Sequence, residues 1–163
     1  MLHKVSIAGL TIDPTSNTPI VVLKSDEDDR TVPIWIGLLE ATSIAAVLQD
    51  IKFDRPMTHD LFKNFVTLHD MSVSGVEVVD IRNNTFYARI NFICRDGNFS
   101  MDARPSDAIA LALRFKAPIY VEDKIFDQPV PGKGKTEILD HSEEGKKWAE
   151  YLKNLSPDKF GKV

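Results

Sequence analysis

The stretch from Met101 to Arg114 (MDARPSDAIALALR) constrains this chain more than any other. Phe99 to Ala103 reads as the end of a strand. Pro105 then suits the first turn of a helix, where its missing N–H costs nothing. Asp107, also in that first turn, is favoured by the helix dipole. From Ile109 to Leu113 the helix is apolar on every side, with Ala108, Ala110 and Ala112 small enough for close packing. A helix of that kind is buried, not laid on a surface. Asp102, Arg104, Ser106 and Asp107 are therefore expected to gather where a strand hands over to a buried helix, a place suited to anions. The plainer reading is that Ser106 or Asp107 caps the helix and Arg104 pairs with a nearby carboxylate.

The remaining chain supplies strands and further helices. Lys4 to Ile12 and Thr18 to Leu23 read as paired strands joined by the turn Asp13-Pro14-Thr15-Ser16-Asn17. Asp26 to Asp29 puts four acids in a row without the spacing or central glycine of a calcium loop, which suits a solvated hairpin tip. Thr31 to Ile36 is a third strand. Leu38 to Gln49 is a helix with Leu38, Ala41, Ile44, Ala45 and Leu48 on one face. Thr58 is expected to cap a second helix, whose apolar face is Leu61, Phe62, Phe65 and Val66. His59 and Asp60 then fall in its first turn.

Ser72 to Ile81 is a strand whose alternation slips at Val78-Val79, the mark of a bulge. Arg82-Asn83-Asn84 turns it into Thr85 to Cys94, with Cys94 on the strand's apolar face, and Asp96-Gly97 turns again into Phe99 to Ala103. Pro118 to Val121 is a short buried strand. Shifting the sequence by 65 positions lays Ser43 to Leu48 over Ala108 to Leu113, which suggests two similar strand–turn–helix units. Strands, helices and strands do not alternate strictly. The expected fold class is α+β, a mixed and largely antiparallel sheet packed with helices. Residues 1–127 are expected to form a single domain. Residues 128–163 are expected to form a connector and a C-terminal amphipathic helix, with Trp148, Tyr151, Leu152 and Leu155 at helical spacing.

At 163 residues the chain is long enough to bury a real core. No signal peptide and no membrane-length apolar run is evident, and the lone Cys94 cannot form an internal disulfide. These features point to the cytoplasm. The net charge of −4 arises in residues 1–60, with five basic and nine acidic side chains, while the later segments balance. No segment is a basic platform, so any nucleic acid is met through a local pocket, an oligomeric groove or a divalent metal.

Several ordered motifs carry a family resemblance. They are Val32-Pro33-Ile34-Trp35-Ile36-Gly37, Glu40-Ala41, Arg55-Pro56-Met57-Thr58-His59-Asp60-Leu61 and Asn84-Thr85-Phe86-Tyr87-Ala88. Arg104-Pro105-Ser106-Asp107-Ala108-Ile109-Ala110-Leu111-Ala112 and Ala117-Pro118-Ile119-Tyr120-Val121 complete the set. Over about residues 3 to 127 the chain resembles the bifunctional nuclease domain family. The closing Ser156-Pro157-Asp158-Lys159-Phe160-Gly161 resembles a tail of its bacterial members. The resemblance implies a broad-specificity nuclease acting on DNA and RNA, and a homodimer.

Metal-assisted phosphodiester hydrolysis needs carboxylates for Mg²⁺ or Mn²⁺ and a cation to steady developing charge. The residues expected to carry catalysis are His59, Asp60, Asp102 and Asp107, with His59 as general base. Arg55, Arg104 and Ser106 would hold a substrate phosphate. Glu40, Asp102 and Asp107 would hold the metal. His59 reads equally well as a helix-start histidine with a satisfied hydrogen bond, and Arg55 as a structural ion pair. The acidic residues at Asp107, Glu122 and Asp123 with Lys124 mimic a common nuclease spacing by chance. No HExxH, Gly-x-Ser-x-Gly or Walker A loop is present, which argues against nucleotide-driven or covalent catalysis. The alternative to an enzyme is a regulatory module that binds an anion, a nucleotide or a protein partner.

Overall fold

A computed structural model describes residues 1–128. Among these residues there are seven strands in one sheet and four helices. The first unit is β1 (Leu2–Ile12), β2 (Pro19–Ser25), β3 (Thr31–Trp35) and α1 (Leu38–Leu48). After α2 (Thr58–Leu68), the second unit is β4 (Ser72–Arg82), β5 (Thr85–Ile93), β6 (Phe99–Ala103) and α3 (Pro105–Phe115). β7 (Ile119–Glu122) and the short α4 (Asp123–Phe126) follow.

The sheet order is β3-β2-β1-β7-β4-β5-β6. Each unit is an antiparallel meander followed by a helix, and the two flank β7 on opposite sides. β7 runs antiparallel to β1 and parallel to β4, which makes the sheet mixed but largely antiparallel. The fold is α+β, as expected. The repeat suggested by the sequence is present with a corrected offset: both helices have 11 residues, and α3 begins 67 positions after α1, not 65. The apolar letters alone slide by two positions without penalty, whereas the turn after each third strand fixes where the helix starts.

Local chemistry explains the junctions. Asn83 and Asn84 both take positive φ, the conformation of a tight β4–β5 hairpin turn that asparagine tolerates well. The register shifts between Val78 and Asp80, at the expected bulge. The acids from Asp26 to Asp29 form the exposed tip between β2 and β3. Cys94 stands just past β5, half-buried, with its thiol donating to the Gly97 carbonyl at 2.8 Å. It belongs to the turn, not to the buried strand face.

α3 is the organising element. Ala108, Ile109, Ala110, Leu111 and Ala112 are all buried, and the helix packs against α1, α2, β4 and β5. Its alanines let these neighbours approach closely, while burial of Ile109 and Leu111 contributes roughly 1.5–3 kcal/mol each. Two expected apolar faces are narrower than predicted. On α1, Ala41, Ile44 and Ala45 are buried but Leu38 and Leu48 are exposed. On α2, Val66 is buried and Phe62 packs on the core, while Leu61 and Phe65 are exposed. Periodicity marks an apolar face, but the width of the surface beneath it decides how much is covered.

At the far end of β7, His3 ties the chain together. Its ring nitrogens meet Glu27 at 3.0 Å and Asp123 at 2.8 Å, and Arg30 also binds Asp123 at 2.9 Å. The expected connector and C-terminal helix within 128–163 lie outside the described residues. No described helix is long and apolar enough to cross a membrane.

Candidate functional site

The two repeat units bring their helix starts together, and α2 delivers a third. Glu40 lies in the first turn of α1, His59 and Asp60 in that of α2, and Asp107 in that of α3. Arg104, the residue just before α3, closes the group. Gly37 precedes α1 at a point where a Cβ would collide with the Glu40 carboxylate, so glycine leaves that carboxylate room to fold back.

These side chains form a circuit. Ser43 Oγ lies 2.9 Å from His59 Nδ1, and His59 Nε2 lies 2.9 Å from Asp107 Oδ1. Arg104 donates to both Asp107 oxygens, through Nε at 2.8 Å and Nη2 at 3.2 Å. Its Nη1 donates to Glu40 Oε1 at 2.9 Å. Glu40 and Ser43 are three residues apart on α1, which puts them on one face of the helix and closes the ring.

Charge fixes the proton positions. Burial pushes the Asp107 carboxyl up, but hydrogen bonds from Arg104 and His59, together with their charge, outweigh it and hold the group below its ordinary range. Asp107 is therefore ionised and accepts only, so His59 Nε2 carries a hydrogen. In the singly protonated ring Nδ1 is then a lone-pair acceptor, to which Ser43 donates its hydroxyl hydrogen. The Arg104 guanidinium is held firmly charged, chiefly by its hydrogen bond to Asp107. It has five N–H groups, of which three donate here, leaving two for a ligand. Solvent reaches the ring mainly on this side: the Arg104 side chain is 66 % exposed and that of His59 only 17 %.

The expected residues separate into two groups. Glu40, His59, Arg104 and Asp107 converge. Asp60 is nearby but occupied elsewhere: its Oδ2 accepts the Met57 backbone N–H at 3.1 Å and its Oδ1 accepts Arg114 Nε at 2.6 Å. The buried Arg114 also donates to the carbonyls of Ala110 and Ser43, so it locks α1, α2 and α3 together beneath the ring. The helix cap differs accordingly: Met57 occupies the cap position, Thr58 is already helical, and Asp60 reaches back to the cap N–H.

Asp102 does not join. It sits on β6 opposite Arg89, exposed, with no side-chain hydrogen bond or ion pair among the described residues. Arg104, just past the strand, is committed to Asp107 and Glu40 instead. Ser106 is buried at the start of α3 and makes no bond into the circuit. Arg55 is exposed ahead of α2 without a side-chain partner among the described residues. Ser43 was not among the sequence candidates. Its signal was present: with Glu40 and Thr42 it supplies the only polar side chains of α1.

Among the described residues no group of three His, Cys, Asp or Glu side chains is arranged to hold one. Glu40 and Asp107 are bridged by the Arg104 guanidinium, and Asp102 is remote from them in the hydrogen-bond network. Glu40, Asp102 and Asp107 as arranged do not form a metal cage.

Fold and ring together describe a two-unit α+β protein with a histidine held between a hydroxyl and a carboxylate at the meeting point of three helix starts. The chain belongs to the bifunctional nuclease domain family, whose family model matches residues 21–130. It is similar along 98 % of its length to an uncharacterised protein of Mycobacterium tuberculosis, at 36 % identity and covering 98 % of that protein. It is also similar to Bifunctional nuclease 1 of Arabidopsis thaliana, 31 % identical over 63 % of this chain and 33 % of the plant protein. Bifunctional nuclease 1 of Oryza sativa subsp. japonica is 28 % identical over 69 % of this chain and 35 % of its own length. The match thus spans about a third of each plant relative.

Proposed function

We propose that this protein hydrolyses phosphodiester bonds of DNA and RNA, with His59 as the group that moves protons and Arg104 as the group that meets the phosphate. The observation that carries this reading is the His59 imidazole held between an ionised Asp107 and a hydroxyl donor, next to a guanidinium with two uncommitted N–H groups. An imidazole whose Nε2–H faces a carboxylate is a better base at Nδ1, because the imidazolium that forms is stabilised by that carboxylate. The guanidinium fork suits non-bridging phosphate oxygens. The plant relatives are named as nucleases, which agrees with this chemistry. Specificity is broad on this reading, because contact is made with the backbone phosphate and not with a base.

No step is assigned to a metal. Divalent assistance by Mg²⁺ or Mn²⁺ would draw on Glu40 and Asp107, both now engaged by Arg104, and the comparison with EDTA reads whether cleavage depends on a metal. Family resemblance also carries the expectation of a homodimer, which light scattering on the purified chain checks.

The test is cleavage of labelled single- and double-stranded DNA and RNA by the purified full chain, with Mg²⁺, Mn²⁺ or EDTA. His59→Ala and Asp107→Asn proteins are prepared identically. Cleavage that both variants lose supports the reading. Equal cleavage by wild type and variants overturns the site, and absence of cleavage in every condition overturns the activity. The second reading, an anion-binding regulatory module, draws on the acidic balance of residues 1–60 and is what the last outcome would favour.

A further inference from the structure

We infer that Ser43 is a nucleophile, attacking phosphorus to form a covalent phosphoseryl intermediate; this rests on the phosphodiesterase reading above and reverses the sequence expectation against covalent catalysis, because packing and not a local motif sets Ser43 on His59. A mid-helix serine commonly either faces solvent or returns its hydroxyl hydrogen to the carbonyl four residues back. The neighbouring Thr42 does so, donating to the Leu38 carbonyl at 2.8 Å. Ser43 instead places its hydroxyl 2.9 Å from His59 Nδ1. With one hydrogen on the ring, held at Nε2 by Asp107, that nitrogen is the acceptor, and the direction of the chain is Ser43 to His59 to Asp107. This is the order of an activated hydroxyl, its base and the carboxylate that orients the base. Here the two ring nitrogens are exchanged relative to the serine hydrolases, with Nδ1 facing the hydroxyl.

The same geometry closes Nδ1 to water. Any nucleophile that His59 activates through Nδ1 must be the Ser43 hydroxyl or must first displace it. Asp107 occupies Nε2. A directly attacking water therefore has no nitrogen to lose its proton to while the circuit is intact.

In the first step Ser43 Oγ forms a bond to phosphorus and its proton passes to His59 Nδ1. The bond from phosphorus to one ester oxygen of the nucleic acid breaks, and that oxygen leaves with the proton from Nδ1 as a free hydroxyl end. In the second step water gives a proton to Nδ1 and its oxygen bonds to phosphorus. The phosphorus–Oγ bond breaks, and Ser43 recovers its proton from Nδ1. One water is consumed and one phosphodiester becomes a phosphomonoester and an alcohol. Arg104 lies on the same ring through Glu40, one helical turn from Ser43, and its two remaining N–H groups meet the charge on the phosphoryl oxygens.

The test uses the full chain and two probes. A fluorophosphonate, whose fluoride leaves without needing a proton, is followed by intact mass and peptide mapping. A labelled oligonucleotide is followed by cleavage on a denaturing gel. Wild type, Ser43→Ala, Ser43→Thr and His59→Ala are compared, with circular dichroism to establish that each is folded. Ser43→Thr keeps a hydroxyl at the position and stands in should Ser43→Ala fail to fold. The expected result is a single phosphonyl adduct mapped to Ser43, formed at least about 100-fold more slowly in His59→Ala, and cleavage lost in Ser43→Ala. Cleavage by Ser43→Ala within about threefold of wild type overturns the nucleophile and leaves the nuclease reading standing. Loss of cleavage with no adduct in wild type also overturns it, making Ser43 a positioning residue for His59. No cleavage by wild type overturns the nuclease reading instead, while the adduct still decides whether Ser43 attacks phosphorus.

Discussion

Glu40 and Asp107 stand at the same place in two repeated units, each the third residue of its helix and 67 positions apart, and Arg104 donates to both. Two like charges at a junction of helix starts are each favoured by the local dipole, but they repel one another. A guanidinium between them removes the repulsion and leaves one carboxylate free to orient His59. The two acids have different tasks because the residue before α1 is Gly37 and the residue before α3 is Arg104.

His59→Ala and Asp107→Asn should each lower kcat for phosphodiester cleavage by about 10²–10⁴-fold while KM changes little. Asp107→Asn should leave the circular dichroism spectrum intact, since its partners lie at the partly exposed rim. Because Asp107 is held below the usual carboxylate range, it stays ionised until the pH falls beneath that range. Loss of wild-type activity under milder acid therefore does not come from Asp107. Steady-state kinetics across pH check both statements.

Arg104→Lys should behave more like Arg104→Ala than a conserved charge suggests. Lysine is a point charge and cannot bridge Glu40 to both Asp107 oxygens as the planar fork does. Both variants should raise KM for oligonucleotides about tenfold or more, and the lysine variant should recover less than half of the lost binding free energy. Titration of a non-cleaved oligonucleotide measures this.

Arg114→Ala tests the floor of the site. The Arg114 side chain is 4 % exposed and its partner Asp60 34 %, so the substitution leaves a partly buried carboxylate unpaired. Stability should fall by about 3 kcal/mol, or roughly 10 °C in Tm for a domain of this size. Asp60→Asn should also destabilise the fold. Thermal melts of both variants separate this structural role from the catalytic one first expected of Asp60.

Asp80 gives the fold an acid-sensitive contact. Hydrogen bonds from Lys124 and then Arg82 hold its carboxyl down to about 2, against an ordinary 3.8. A depressed folded pKa contributes stability that is complete above the ordinary value and is lost as pH falls towards the folded one. Wild type should therefore lose more stability between about pH 4 and pH 2 than Asp80→Asn does. Urea melts at several acidic pH values give the two slopes.

The outer stripe of α2 should be dispensable for folding. Leu61 is 61 % and Leu68 82 % exposed, so Leu61→Ser and Leu68→Ser should change stability by no more than about 0.5 kcal/mol. Val66→Ala, on the buried side, should cost clearly more. Comparing the three Tm values shows which face of this helix is core.

The sequence by itself determined the elements and the family. Alternation in β5, the Asn83-Asn84 turn, the slip at Val78-Val79 and the apolar run of α3 are local patterns, each written in neighbouring residues. Glu40, His59, Arg104 and Asp107 were likewise legible as polar residues at helix starts. Only the tertiary structure decided which of them meet. Asp102 is two residues from Arg104 in the chain, yet it stays on exposed β6 opposite Arg89 while Arg104 bonds Asp107 and Glu40. Ser43 is 16 residues from His59 and 64 from Asp107, and it enters because α1 and α3 pack side by side. Asp60 changed meaning for the same reason, since its partner Arg114 lies 54 residues away. Local periodicity is set by backbone geometry within one element, whereas a site is set by the packing of several, and no short-range pattern encodes that packing.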